Sequence, residues 1–170
     1  MNTNRWLLLV LLVLIILNLT HIIYFNVFTH SLPYGIYSRI KGVPERGDYA
    51  ATCLTSSIAE YGIQRGYLAK GQCGTGTVLV LKMIRGTPGD VFDVKNGSFE
   101  LNGYSYKIMA KDSSGRSLQV FYDQKEGILE KGKYLLMSDF VKNSWDSRYW
   151  GPVSIQFLLK PLLIFENVKG

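Results

Sequence analysis

The sequence predicts a mainly β domain with one short helical insert, preceded by a single N-terminal transmembrane helix. Three observations support this prediction. A twenty-residue apolar run without charge stands near the start of the chain. Short apolar or alternating runs follow it, and Asn96-Gly97 and Asn102-Gly103 are strong signals of two-residue hairpin turns. With 170 residues, the chain is long enough to bury one hydrophobic core.

The apolar run extends from Trp6 to Phe25. At about 1.5 Å per residue, a helix of this length crosses a hydrocarbon layer of roughly 30 Å. The first alanine of the chain is Ala50, so the run lacks the small-residue cleavage signature of a signal peptide. We therefore expect a retained membrane anchor over residues 1–26 and a second domain over residues 27–170. Basic residues stand on both sides of the run, so charge alone does not decide its orientation.

The charge of the chain indicates a lipid surface rather than a nucleic acid as partner. Nineteen Lys and Arg residues against thirteen Asp and Glu residues give a formal net charge of +6. The basic residues are scattered and form no run interleaved with aromatic residues, which argues against nucleic-acid binding. A basic domain held next to anionic lipid fits this composition, so we expect the bilayer to be a partner.

The domain after the anchor is predicted to consist mostly of strands. The run of residues 157–165 contains Lys160 and Pro161 and is too short to span a membrane, so it is either a core strand or a surface resting on lipid. Asn-Gly turns divide one region into a meander. The predicted strand regions are residues 77–86, the meander over 90–109, residues 133–137 and residues 153–164.

One lysine interrupts the apolar face of the strand over residues 77–86. On the two-residue period of a strand, Lys82 shares its face with Val78, Val80 and Ile84. Burial disfavours the ammonium form and lowers the pKa of a lysine, which makes its amine a candidate general base. The alternative is an edge-strand lysine whose stem covers apolar surface while its head reaches water.

A serine stands close to the predicted membrane exit. Five residues separate Phe25 from Ser31, so even an extended chain keeps Ser31 within about 20 Å of that exit. His30 is badly placed to take its proton, because neighbours in an extended chain point to opposite faces, and His21 lies in the apolar run. A nucleophilic Ser31 therefore needs another base. The alternative is a turn serine before Pro33.

Two cysteines, Cys53 and Cys73, bound an insert. Ser57 and Glu60 stand at capping-box spacing inside it, which predicts a short helix. Two cysteines are too few for a tetrahedral metal site and are not spaced as a redox pair, so we expect no metal and no other cofactor. They form either a disulfide, contributing about 3 kcal/mol, or two buried free thiols. A disulfide would require an oxidising compartment and would place the domain outside the cytoplasm.

Successive motifs of the domain resemble those of bacterial type I signal peptidases. These are serine proteases with a serine-lysine pair, anchored in the inner membrane with the active domain outside the cytoplasm. The resemblance spans about residues 29–153. The matching segments, in chain order, are Ser31 with residues 33–37, Gly47-Asp48, residues 81–90 with their continuation through Asn96-Gly97 to residues 101–103, and residues 143–153.

The resemblance implies a signal-peptidase-like β-sheet domain and assigns roles to individual residues. Ser31 would be the nucleophile and Lys82 the general base. The Ser31 N–H and the Thr29 hydroxyl would donate to the oxyanion, with Thr29 standing where the family uses a serine. Three further residues would support the lysine. Ser144 would orient its amine, and Asp146 and Arg148 would form an ion pair behind it.

The insert over residues 53–73, with residues 65–68 near its end, is similar to that of the TraF-type conjugative-transfer peptidases, which process pilin precursors. Leu32 replaces the methionine of ordinary signal peptidases and favours the same branch. The resemblance implies a single-pass inner-membrane protein with a periplasmic catalytic domain that cleaves exported precursors, with propilin as the expected substrate. A general signal peptidase and a non-catalytic envelope assembly protein of this fold remain as alternatives.

Overall fold

The computed structural model describes residues 3–19, 23–26 and 30–165, and within them the chain is mainly β, as predicted. These residues form three helices and ten strands. In chain order the elements are α1 (Thr3–Leu19), β1 (Ile23–Asn26), β2 (Gly35–Ile40), β3 (Tyr49–Thr52), α2 (Ser56–Arg65), β4 (Val80–Gly86), β5 (Val91–Lys95), β6 (Ser98–Leu101), β7 (Tyr104–Lys107), β8 (Glu126–Ile128), β9 (Leu135–Met137), α3 (Ser147–Trp150) and β10 (Phe157–Ile164).

The larger of two antiparallel sheets has six strands in the order β1-β2-β10-β3-β4-β9. The late strand β10 lies between β2 and β3, so the C-terminal part of the domain closes the middle of this sheet. Strand β4 alternates strictly, with its even-numbered residues buried and its odd-numbered ones half-buried. This confirms the predicted face on which Lys82 lies. The strand begins at Val80 rather than at residue 77, because the backbone N–H of Val78 donates to Ala69 in the insert.

The smaller sheet has four strands in the order β7-β6-β5-β8. Asn96 and Asn102 adopt left-handed backbone conformations, with φ of 51° and 47°, and each is followed by a glycine that is also left-handed. This is the geometry of two-residue hairpin turns, so the predicted meander is confirmed. Phe92 and Phe99 stack with ring centroids 5.6 Å apart and form the core between this sheet and β9.

The predicted transmembrane helix over residues 6–25 is wrong at its C-terminal end. Helix α1 ends at Leu19, and Ile23–Asn26 form strand β1, which pairs with β2. The reason is packing, because the aromatic and β-branched residues of β1 complete the edge of the sheet and Tyr24 stacks on Phe157 at 5.1 Å. None of the helices in the described part of the chain is long and apolar enough to cross a membrane. His21 lies outside the described residues.

The cysteine-bounded insert contains the predicted short helix, α2, and its two cysteines form a disulfide with Cα atoms 5.7 Å apart. The capping box predicted from Ser57 and Glu60 is wrong. The helix begins two residues earlier than that box would place it, so Thr55 is its N-cap and Ser57 lies within the first turn. At the other end, Gly66 adopts the left-handed conformation, and its N–H and those of the next two residues bond to the last carbonyls of α2.

Candidate active site

Ser31 lies in a turn just before β2, and side chains from both sides of this turn hold its backbone. The Asn26 amide donates hydrogen bonds to the carbonyls of Leu32 and Pro33, at 2.9 and 3.0 Å. The Tyr37 hydroxyl also donates to Pro33, at 2.6 Å. Because Leu32 is buried in the core under this turn, the position of Ser31 is fixed by both packing and hydrogen bonds.

Lys82 points from the buried face of β4 towards Ser31. Its side chain is 5 % exposed, and its Nζ is hydrogen-bonded to Ser31 Oγ and, at 2.9 Å, to Ser144 Oγ. The structure therefore brings together three residues from distant parts of the sequence. The ring of His30 is instead hydrogen-bonded to the Tyr34 hydroxyl at 2.9 Å.

The environment of Lys82 favours its neutral amine. Burial lowers the pKa of Lys82 from its ordinary 10.5 to about 8. The negative charge of Asp146 opposes this by raising the pKa, while the positive charge of Arg148 lowers it further. At pH 7 roughly a tenth of the amines are then neutral, against about one in 3,000 at the ordinary lysine pKa.

Asp146 and Arg148 form a buried ion pair beside this group. The Asp146 side chain is fully buried and accepts hydrogen bonds from Arg148 Nε at 2.8 Å and from Arg148 Nη2 at 2.9 Å. It also caps the short helix α3 by accepting from the Arg148 N–H. The pKa of the Arg148 guanidinium is raised: burial lowers it, but the hydrogen bonds and charge of Asp146 outweigh that effect.

The remaining donors of Arg148 hold the backbone around Ser144. Nη2 donates to the Ser144 carbonyl at 2.8 Å, and Nη1 donates to the carbonyls of Lys142 and Lys107 at 3.1 and 2.9 Å. One buried guanidinium thus ties the loop that carries Ser144 to the end of β7. This fixes the direction from which the Ser144 hydroxyl meets the lysine amine.

Ser31, Lys82 and Ser144 open into a cleft of about 800 Å³. Its surface is mostly apolar, and one wall is formed by the end of the cysteine-bounded insert, residues 66–69. The apolar lining suits a ligand with apolar groups better than a small polar one. Apolar lining residues contributed by the rest of the domain include Leu79, Leu81, Met109, Leu118, Val141 and Trp150.

Sequence reasoning missed several residues that shape the site, among them Trp145 and Asn26. Trp145 lies between Ser144 and Asp146 in the chain and packs against the insert, with its ring 6.0 Å from Tyr61 and 5.2 Å from Tyr67. Asn26 holds the Ser31 turn. The spacing of the aromatic residues in the insert could have indicated Trp145, whereas nothing in the sequence marks Asn26. The candidate oxyanion donor Thr29 lies outside the described residues.

Comparison with known proteins gives the same family throughout. The family model described as "Signal peptidase, peptidase S26" matches residues 3–159. Two plasmid transfer proteins TraF from Escherichia coli are similar to this chain. One is 32% identical over 143 residues, covering 79% of this chain and 80% of the relative, and the other is 28% identical over 142 residues, covering 79% of each. A conjugal transfer protein TraF from Agrobacterium fabrum is 28% identical over 147 residues and covers 81% of each chain.

Proposed function

We propose that this chain, which belongs to the peptidase S26 family of signal peptidases, is a serine endopeptidase whose catalytic pair is Ser31 and Lys82. The observation that carries the proposal is the buried Lys82 amine hydrogen-bonded to Ser31 Oγ. A lysine with a lowered pKa next to a serine hydroxyl is the arrangement that nucleophilic catalysis without histidine requires. The adjoining apolar cleft supports a peptide as the substrate.

The first chemical step forms the acyl-enzyme. The neutral amine of Lys82 takes the proton of Ser31 Oγ as that oxygen bonds to the carbonyl carbon of the scissile peptide. Negative charge develops on the carbonyl oxygen, where we expect the Ser31 N–H and the Thr29 hydroxyl to donate hydrogen bonds. The Lys82 ammonium then gives its proton to the leaving nitrogen as the C–N bond breaks. An ester on Ser31 and a free amine result.

The second step reverses these roles. The amine of Lys82, neutral again, takes a proton from a water molecule as the water oxygen attacks the ester carbonyl. The proton returns to Ser31 Oγ when the ester bond breaks, which restores the enzyme and releases the new carboxyl end. Ser144 keeps the amine aimed at Ser31 throughout, since its hydroxyl holds Nζ from the other side at 2.9 Å.

We expect kcat/KM to rise with pH along a limb whose apparent pKa is about 8. The lysine pKa is lowered in the folded protein, so the fraction of reactive neutral amine grows as the pH passes this value. Initial cleavage rates measured from pH 6 to pH 10 would reveal the limb. A profile that is flat over this range would mean that the ionisation of Lys82 does not control the reaction.

Membrane attachment is part of the proposal. The side chains of α1 from Trp6 to Ile16 are all apolar and 39 to 65% exposed, so this stretch of the helix presents an apolar surface to its surroundings. The end of β10 adds exposed Leu162 and Leu163. We propose that α1 and its neighbouring residues anchor the chain in the bacterial inner membrane. The disulfide supports a periplasmic location for the domain, because such bonds persist in oxidising compartments.

The proposed substrate is an exported precursor of a conjugative-transfer apparatus, with propilin first. This rests on the relatives, whose names place them in plasmid and conjugal transfer. Processing would occur at the outer face of the inner membrane, where Ser31 follows closely on the anchor. A general signal peptidase would act on many unrelated exported proteins, so the range of precursors cleaved separates the two functions.

The test compares cells that make the wild-type chain with cells that make Ser31→Ala, each with a tagged propilin and an unrelated exported reporter. The variant is expected to accumulate propilin precursor while the reporter matures normally. The matched control is Ser98→Ala, a half-buried serine of β6 outside the cleft, which should process as the wild type does. If Ser31→Ala matures propilin at the wild-type rate, the chain is a non-catalytic envelope component; if both precursors accumulate, it is a general signal peptidase.

A further inference from the structure

We infer that Ser138 is a positioning residue for the proposed reaction, because its hydroxyl holds the backbone carbonyl of the nucleophile Ser31. The inference rests on the proposed function of Ser31 and Lys82. Ser138 is half-buried and directly follows strand β9. Since Met137 pairs with Met83 in the antiparallel register, Ser138 leaves the sheet at the level of Lys82.

The hydrogen bonds of Ser138 connect the two parts of the site. Its Oγ donates to the Ser31 carbonyl at 2.9 Å, across 107 positions of the chain. The same oxygen accepts from the Phe140 N–H at 3.2 Å, so the acceptor side of the hydroxyl is also used. Its backbone N–H donates to Asp146 Oδ2 at 3.3 Å. One residue therefore contacts both the nucleophile and the buried carboxylate that orders the Ser144 loop.

The bond to Ser31 differs from an ordinary turn interaction. A serine that only caps its own turn needs to accept from the N–H two residues ahead, which the contact with Phe140 already provides. The hydroxyl proton of Ser138 is therefore available for a second hydrogen bond, which it donates to the carbonyl of Ser31. The turn's next two carbonyls are held from the other side by Asn26.

Fixing this carbonyl limits the movement of the backbone that carries the reacting oxygen. The carbonyl sets the peptide plane that follows Ser31, and together with the buried Leu32 it limits rotation about the backbone bonds that aim Oγ. Displacing a reacting group by about 1 Å can lower a rate by about 100-fold. Loss of a single neutral hydrogen bond loosens the nucleophile without removing it, so a smaller effect is expected.

The test measures cleavage by the full-length chain in vesicles, with a precursor peptide that the wild type cleaves. Ser138→Ala is expected to lower kcat about tenfold, with KM unchanged within about twofold. The rise of kcat/KM with pH should keep its apparent pKa near 8. The limb stays because the burial of Lys82 and its contact with Ser144 are retained. Ser138→Thr keeps the hydroxyl and should recover most of the rate, while Ser98→Ala should match the wild type.

Three results would overturn the inference. The first is a wild-type kcat in Ser138→Ala. The second is a pH limb shifted in that variant, since the residue would then act on the amine rather than on the nucleophile backbone. The third is a loss explained by fewer folded molecules, with Ser138→Thr as inactive as Ser138→Ala. Failure of the proposed function is seen separately, because a wild-type chain that cleaves no faster than Ser31→Ala has no catalytic pair to position.

Discussion

Replacing Lys82 by methionine is expected to lower kcat by about three to four orders of magnitude, because it removes the group that takes the serine proton and returns it to the leaving amine. Methionine has nearly the same length and suits the buried position, so the fold is retained. Cleavage of the precursor peptide under single-turnover conditions measures this directly. Residual cleavage within tenfold of the wild-type rate would show that Lys82 is not the base.

The same substitution should stabilise the protein at pH 7. Burial holds the pKa of Lys82 at about 8 in the folded state, against 10.5 in the unfolded state. At a pH where the amine is protonated in both states, each pKa unit of this difference lowers the free energy of unfolding by about 1.4 kcal/mol. The lost bonds to Ser31 and Ser144 offset part of the gain, leaving about 1–2 kcal/mol. Lys82→Arg is the control, since it keeps a charge that cannot be neutralised and should be inactive without being stabilised.

Stability should also depend on pH in a defined window. The folded state releases the Lys82 proton near pH 8 and the unfolded state near 10.5, so between these values the unfolded state binds more protons. The free energy of unfolding of the wild type should therefore rise with pH across this window, and that of Lys82→Met should lack this contribution. Urea unfolding at pH 7 and pH 10 compares the two proteins.

Replacing Asp146 by alanine is expected to lower the free energy of unfolding by about 3–5 kcal/mol, because it leaves the buried guanidinium of Arg148 without its counter-charge. Loss of the helix cap and of the acceptor for Ser138 adds to the effect. Activity should fall as well, since Arg148 would no longer hold the Ser144 carbonyl firmly. Thermal and urea unfolding of both proteins measure the difference.

Asp146→Asn separates charge from shape. The amide keeps the size of the side chain and one acceptor oxygen, so the loss of stability should be smaller than for alanine. The negative charge of Asp146 raises the pKa of Lys82, so its removal should move the limb of the pH profile below 8. A limb displaced to higher pH in Asp146→Asn would contradict the account of the electrostatics.

The parts of the fold that follow local rules could be predicted from the sequence. The two-residue period of β4 placed Lys82 on a buried face, and the Asn-Gly turns at Asn96 and Asn102 gave the meander. Both depend on neighbours within a few residues. The spacing of Cys53 and Cys73 left two states open, because a disulfide depends on whether the folded chain brings the sulfur atoms together.

Long-range pairing set the features that could not be predicted. The apolar run predicts one helix to Phe25, yet its last residues complete a sheet edge by pairing with β2, which hydropathy alone does not reveal. The insertion of β10 between β2 and β3 joins segments more than 100 residues apart. Ser138 lies in no recognisable motif, and its importance follows only from where β9 ends beside the Ser31 turn.

The most direct test of the central claim is a titration of the Lys82 amine in the full-length protein. With isotopically labelled lysine, the Nζ signal that disappears in Lys82→Arg can be followed by NMR as the pH is raised. A transition near pH 8 is the result that the buried amine next to Ser31 predicts. A transition near 10.5, the ordinary value for lysine, would mean that the amine is hydrated and charged at neutral pH and would contradict the account.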